Sequence, residues 1–141
     1  MLGKKTGRLD FKKLILTESA ARGTTKEYEI KKSPEEMLAT LYEGNWKYND
    51  DVKREDCQVG QGIWGIREYD SMTEELHRLG IRSWNGFDKY DKRALDGWSF
   101  SLEIILSDDA VIKAHGTNSF PKHYSEFKEC LNEAVFGPKE Y

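Results

Sequence analysis

Two cysteines, three prolines and three histidines in 141 residues leave little material for several classes of protein. Cys57 and Cys130 lie far apart and form no CxxC or zinc-ligand spacing, so neither a disulfide scaffold nor a zinc module is expected. The expectation is two reduced thiols. No stretch approaches the ~20 apolar residues of a membrane span. The basic start MLGKKTGRLDFKK lacks the apolar run of roughly 7–15 residues of a secretory signal, so a cytoplasmic location is expected. Gly3 stands one place too late for myristoylation. Absent too are G-x-S-x-G, a P-loop, H-E-x-x-H and an EF-hand loop. Gly60-Gln61-Gly62 and Gly65 have no strand–loop–helix unit with a downstream acid, and read as a tight turn rather than a dinucleotide site.

What is present is charge and aromatic bulk. Charged residues make up 33% and hydrophobic ones 38%, against a usual ~25% and ~45–50%. The net charge is only −3, and aromatics are 12% of the chain. A folded domain with a small aromatic-rich core fits these figures. At this length it is one domain, residues 11–141, preceded by a basic arm over 1–10 that carries no apolar periodicity.

Hydrophobic spacing predicts the elements. Leu14 and Leu16 share one strand face with Ile15 opposite, and Tyr28 and Ile30 share a face of the next strand, so 11–32 reads as a hairpin. Ser33-Pro34-Glu35-Glu36 carries the signature of a helix start, and Met37, Leu38, Leu41 and Tyr42 form a stripe ending at Gly44. A polar loop follows over 45–60, then a short strand around Gly60–Ile66. A second capping box at Ser71-Met72-Thr73-Glu74 opens a helix closed by Gly80. Trp98, Phe100, Leu102, Ile104 and Leu106 alternate with Ser99, Ser101, Glu103 and Ile105, the clearest strand in the chain. Ser107-Asp108-Asp109 turns it into a partner over 110–115. A last helix over 122–136 buries Tyr124, Phe127, Leu131 and Ala134. The expected fold class is α+β: a small antiparallel sheet of two hairpins against two or three helices, in the order β-β-α-(β)-α-β-β-α.

Three segments carry a resemblance. Ser83-Trp84-Asn85-Gly86-Phe87, Leu95-Asp96-Gly97-Trp98-Ser99-Phe100-Ser101-Leu102-Glu103-Ile104 and Gly116-Thr117-Asn118-Ser119-Phe120-Pro121 resemble a C-terminal module of small uncharacterised bacterial proteins, common in Gram-positive bacteria. Its pattern runs D-G-x-x-W-x-L-x-I-x-Y-x-D-G, then G-x-N-x-x-P-x-x-[FY] and a helix. Here Phe100 takes the usual Trp place and Asp108-Asp109 replaces the Asp-Gly turn. The resemblance implies a hairpin-plus-helix element and no known activity.

For chemistry, His115, His123 and Glu126 are the best candidate group, since His123 and Glu126 share a helix face and imidazole with carboxylate suits zinc. Three scattered histidines with Lys122 and Lys128 flanking the group read rather as an exposed helix face, and no metal or cofactor is expected. Residues 1–32 hold nine Lys and Arg against four Asp and Glu, but Glu27 and Glu29 interrupt the basic strand and no aromatic-basic run accompanies it. A nucleic-acid partner is therefore not expected. Trp46 and Tyr48 stand in a polar stretch with no period to bury them, and Trp84 and Phe87 flank a turn; all four are candidate anchors for a protein partner. Size and composition match a non-enzymatic cytoplasmic binding module of the immunity or anti-defence inhibitor type. The alternative is a small hydrolase or ligand-binding enzyme using His115, His123 and Glu126.

Overall fold

The computed structural model describes residues 7–20, 23–91 and 97–138. They form one seven-stranded mixed sheet with two α-helices on a single face. The elements are β1 (Phe11–Ala20), β2 (Thr25–Lys32), β3 (Met37–Gly44), a 3-10 turn (Arg54–Cys57), β4 (Gln58–Trp64), α1 (Ile66–Arg78), a second 3-10 turn (Ile81–Trp84), β5 (Asp88–Tyr90), β6 (Trp98–Leu106), β7 (Val111–Thr117) and α2 (Tyr124–Phe136). The sheet order is β4-β3-β2-β1-β6-β7-β5. All neighbours are antiparallel except β5 and β7.

This corrects the expected small antiparallel sheet of two hairpins against two or three helices: the described residues are mostly sheet, seven strands with one parallel pair, and carry two α-helices. The hairpins are fused into one sheet because β1 pairs with β6, Leu14 opposite Ile104 and Leu16 opposite Leu102. The expected helix over 33–44 is a strand. Ser33 still uses its hydroxyl as a cap would, accepting from the Glu36 amide at 3.3 Å, but its own amide donates to the Glu36 carbonyl at 2.9 Å. That closes a four-residue turn, and Met37 faces Lys32. Met37, Ala39 and Leu41 are buried with period 2. They continue the rows set by Ile30 and Tyr28, which a helix there would leave at an open edge.

Alternation sorts the strands into two faces. The inner face carries Leu14, Leu16, Tyr28, Ile30, Ala39, Leu41, Leu102, Ile104, Ile112 and Ala114, all buried. α1 and α2 cover it. α1 starts five residues before the expected capping box, because the Glu68 side chain accepts from the Gly65 amide at 3.0 Å. Tyr69, Met72, Thr73 and Leu76 then form its buried stripe. Residues 7–10, expected in a loose arm, are packed: Leu9 is fully buried and its amide donates to the Thr73 carbonyl at 2.9 Å. Residues 1–6 of that arm lie outside the described residues.

α2 lies across the strands. Near its start, the Tyr124 hydroxyl donates to Glu18 of β1 at 2.5 Å. Further along, Asn132 accepts from the Tyr28 hydroxyl of β2 at 2.5 Å. At its end it rests on β4, where the Trp64 indole N–H donates to the Ala134 carbonyl at 2.6 Å. The approach needs glycine: a Cβ on Gly62 would stand 2.1 Å from the Ala134 carbonyl oxygen, and one on Gly60 2.5 Å from the Phe136 ring.

Among the described residues no α-helix covers the outer face. The 45–57 segment folds along it and brings Arg54 to Glu27, with its guanidinium 4.3 Å from the centre of the Tyr42 ring. Glu29, buried on the same face, is ringed by Lys31 at 3.7 Å, Lys13 at 3.8 Å and Arg54 at 3.9 Å.

Two substitutions test the packing. Leu102→Ala removes a buried side chain from the middle of the inner face and should cost about 2–5 kcal/mol in denaturant unfolding. Gly62→Ala should cost about 1–3 kcal/mol, since the rigid Ala134 backbone must move.

Candidate functional site

Beyond the start of α2 the inner face opens into a cleft of about 800 Å³. Its position follows from helix placement. Phe100 is covered, with Tyr124 at 5.0 Å between ring centres, but Trp98 stands two residues further along β6 and past the helix. Trp98 keeps the face the alternation assigns it, yet it is 46% exposed. Alternation sets Trp98 in one row with Phe100 and Leu102, but of the three it alone is exposed.

Phe120 lines the same cleft and is 42% exposed. Its ring is held by Tyr124 at 4.8 Å and Phe100 at 5.5 Å. Asn118, at φ 55°, fixes the other wall: its amide donates to the Trp98 carbonyl at 2.7 Å, and its side-chain oxygen accepts from the Trp98 amide at 3.0 Å. The two exposed rings are therefore mounted on a stapled junction between β6 and the end of β7.

Glu18 sits in the cleft floor and is 6% exposed. It lies opposite Phe100 on the inner face, where an apolar residue would ordinarily stand. Both its oxygens are engaged: one accepts from Tyr124, the other from the Lys128 ammonium at 2.9 Å. Burial and the neighbouring Glu18 carboxylate together push the Tyr124 phenol well above its ordinary range. Burial likewise pushes the Tyr28 phenol up to about 12, with Glu18 and Glu43 adding repulsion to its ionised form. At the mouth, His123 holds Glu126 at 2.8 Å, and Lys26 and Ser99 complete the polar rim.

His115, His123 and Glu126 do not converge. His115 alternates with buried Ala114 and Gly116, so it points to the outer face, where it meets Asp88 at 3.4 Å. His123 lies at the cleft on the inner side. Among the described residues no three His, Cys, Asp or Glu are grouped to hold a metal ion. A second cavity, about 300 Å³, lies between α1 and α2 and contains Cys130. Burial, followed by nearby Glu75, pushes that thiol up to about 11, away from thiolate chemistry.

The four sequence-derived anchors are dispersed. Tyr48 is 61% exposed and Trp46 half-buried beside Gly44. Trp84 is a core residue, 4% exposed, edge-on to Phe127 at 5.2 Å, and has no surface to offer a partner. Phe87 is half-buried against Phe100 at 5.9 Å. The cleft-lining Trp98, Phe120 and Glu18 are not among these four. The available signals were a glutamate on the apolar phase of β1 and an aromatic at the first position of β6.

Four basic residues of the segment 1–32 are paired with acids, two of them with acids outside that segment. Arg8 meets Asp10 and Asp70, Lys12 meets Asp109, and Lys13 and Lys31 meet Glu29. Among the described residues no helix is long and apolar enough to cross a membrane. Comparison of the chain with protein-family models, curated proteins and solved structures finds no match.

Tyr124→Phe tests the floor of the cleft. It leaves one oxygen of buried Glu18 without its donor and should cost about 1–3 kcal/mol at neutral pH. The raised phenols also set an alkaline limit. Unfolded tyrosine ionises near 10 while folded Tyr28 holds its proton to about 12, so its contribution is complete below pH 10 and falls as pH rises through that window. Tyr28→Phe should make the fall of unfolding free energy over this window shallower by one proton, measured by denaturant titration at successive pH values.

Proposed function

We propose that this protein is a non-enzymatic binding module that takes a segment of a protein partner into the cleft between Trp98 and Phe120. The observation that carries this reading is the pair of large rings, each more than two-fifths exposed, fixed on the wall of one cleft. Aromatic anchors inside a polar rim are the usual anatomy of an interface hot spot. Here the rim alternates in sign, with Lys26 and Lys128 beside Glu126. An apolar side chain of the partner would enter between the rings, and the rim would set its orientation.

The internal chemistry of the cleft favours binding over turnover. Glu18 already accepts from Tyr124 and Lys128, which holds it in place as a structural acid. The two candidate histidines serve opposite faces of the sheet. In the biological role we attach to this module, it acts in the cytoplasm by covering its target, as an inhibitor of the immunity or anti-defence type does. That attachment rests on size and composition and is an analogy.

The test uses alanine variants. Trp98→Ala and Phe120→Ala should each weaken binding of the captured partner by 2 kcal/mol or more, roughly thirty-fold, in titration calorimetry. Tyr48→Ala, outside the cleft, should leave the affinity unchanged. Equal affinity for wild type and both cleft variants, with Tyr48→Ala weakened instead, would return the interface to the 45–57 segment.

A further inference from the structure

We infer that the protein pairs with a second copy of itself along the free edge of β4, antiparallel, about a two-fold axis at Gln61. β4 ends the sheet, and only β3 pairs with it among the described residues. An edge strand presents unpaired N–H and C=O groups, and natural proteins blunt such edges with lysine, proline, inward charge or bulges. Gln58–Trp64 contains no charged residue and no proline. The irregularity in its pairing with β3 falls at Val59, which has no partner there, and leaves 60–64 regular.

The side chains choose the occupant. Val59-Gly60-Gln61-Gly62-Ile63 reads the same in both directions: β-branched, glycine, glutamine, glycine, β-branched. In antiparallel self-pairing centred on Gln61, Val59 faces Ile63 of the second copy and Ile63 faces Val59. Both are exposed in the single chain, Val59 at 51% and Ile63 at 63%. Gln61 faces Gln61: its side-chain amide already donates one N–H to the Thr40 hydroxyl at 3.1 Å, which leaves the second N–H and the oxygen for the other copy. On the opposite face Gly60 meets Gly62, so no Cβ obstructs the junction. Phe136, 59% exposed beside Gly60, lies ready to cover it from the end of α2. No like charges are brought together, and the two sheets continue into one. A register displaced by two residues would set Ile63 against Gln61 and lose both apolar pairs.

Light scattering and sedimentation over a dilution series test the pairing. Wild type should approach twice the 16.4 kDa of one chain at high concentration and return to one chain on dilution. The pair Val59→Lys with Ile63→Lys sets lysine against lysine at both positions and should give one chain at every concentration. Its thermal midpoint, taken at a dilution where wild type is also a single chain, should match wild type. The pair Val59→Glu with Ile63→Lys sets glutamate against lysine twice and should restore the dimer, more weakly at high salt. A single-chain mass for wild type throughout would overturn the inference, including the case in which a strand of another protein occupies this edge. A dimer that survives the double lysine change, or is not restored by the Glu/Lys pair, would equally overturn it.

Discussion

One helix crossing the strands organises this molecule. A 13-residue α2 is about 20 Å long, and the four strand spacings from β6 to β4 sum to about 19 Å. The helix therefore just reaches from the middle of the sheet to its edge, and it lies close only because Gly60 and Gly62 carry no side chain. Trp84, Phe100, Phe120 and Phe127 gather around its first turns, and the Trp64–Ala134 hydrogen bond closes its end. What α2 leaves uncovered becomes surface. Trp98 lies past its start, and the free edge of β4 lies past its end.

The legible parts of the sequence were those with a single period. β6 and β7 alternate throughout, β1 alternates from Leu14 onward, and Tyr28 and Ile30 mark the inner face of β2, while Tyr124, Phe127, Leu131 and Ala134 fit only a helix. Over 37–44 two periods coexist: Met37, Ala39 and Leu41 suit a strand, while Met37, Leu38, Leu41 and Tyr42 suit a helix. The Ser-Pro-Glu-Glu start favoured the helix, and the unpaired edge of β2, which only the fold reveals, favoured the strand. Local propensity yields to tertiary pairing in such cases.

The candidate site was less legible for a different reason. Alternation assigns Trp98 to the correct face but says nothing of how far a helix reaches along it. Glu18 falls on the apolar phase of β1, but nothing local shows what pairs with it there: Tyr124 and Lys128 arrive from more than 100 positions away. Trp84 misled in the opposite sense, since a turn between aromatics suggested the surface while the 3-10 turn at Ile81–Trp84 drives its ring into the core. Charge was legible in part: Glu29 on the basic strand was in view, while the pairing of Arg8 with Asp70 and Lys12 with Asp109 depends on elements brought in from far along the chain.

Hydrogen–deuterium exchange on the full chain, alone and saturated with its partner, tests the central claim most directly. If the cleft past the start of α2 is the binding surface, new protection appears at 97–99 and 118–126 while the 45–57 segment and the outer strand face exchange as before. Protection confined to 45–57, with the Trp98 and Phe120 segments unchanged, would contradict it.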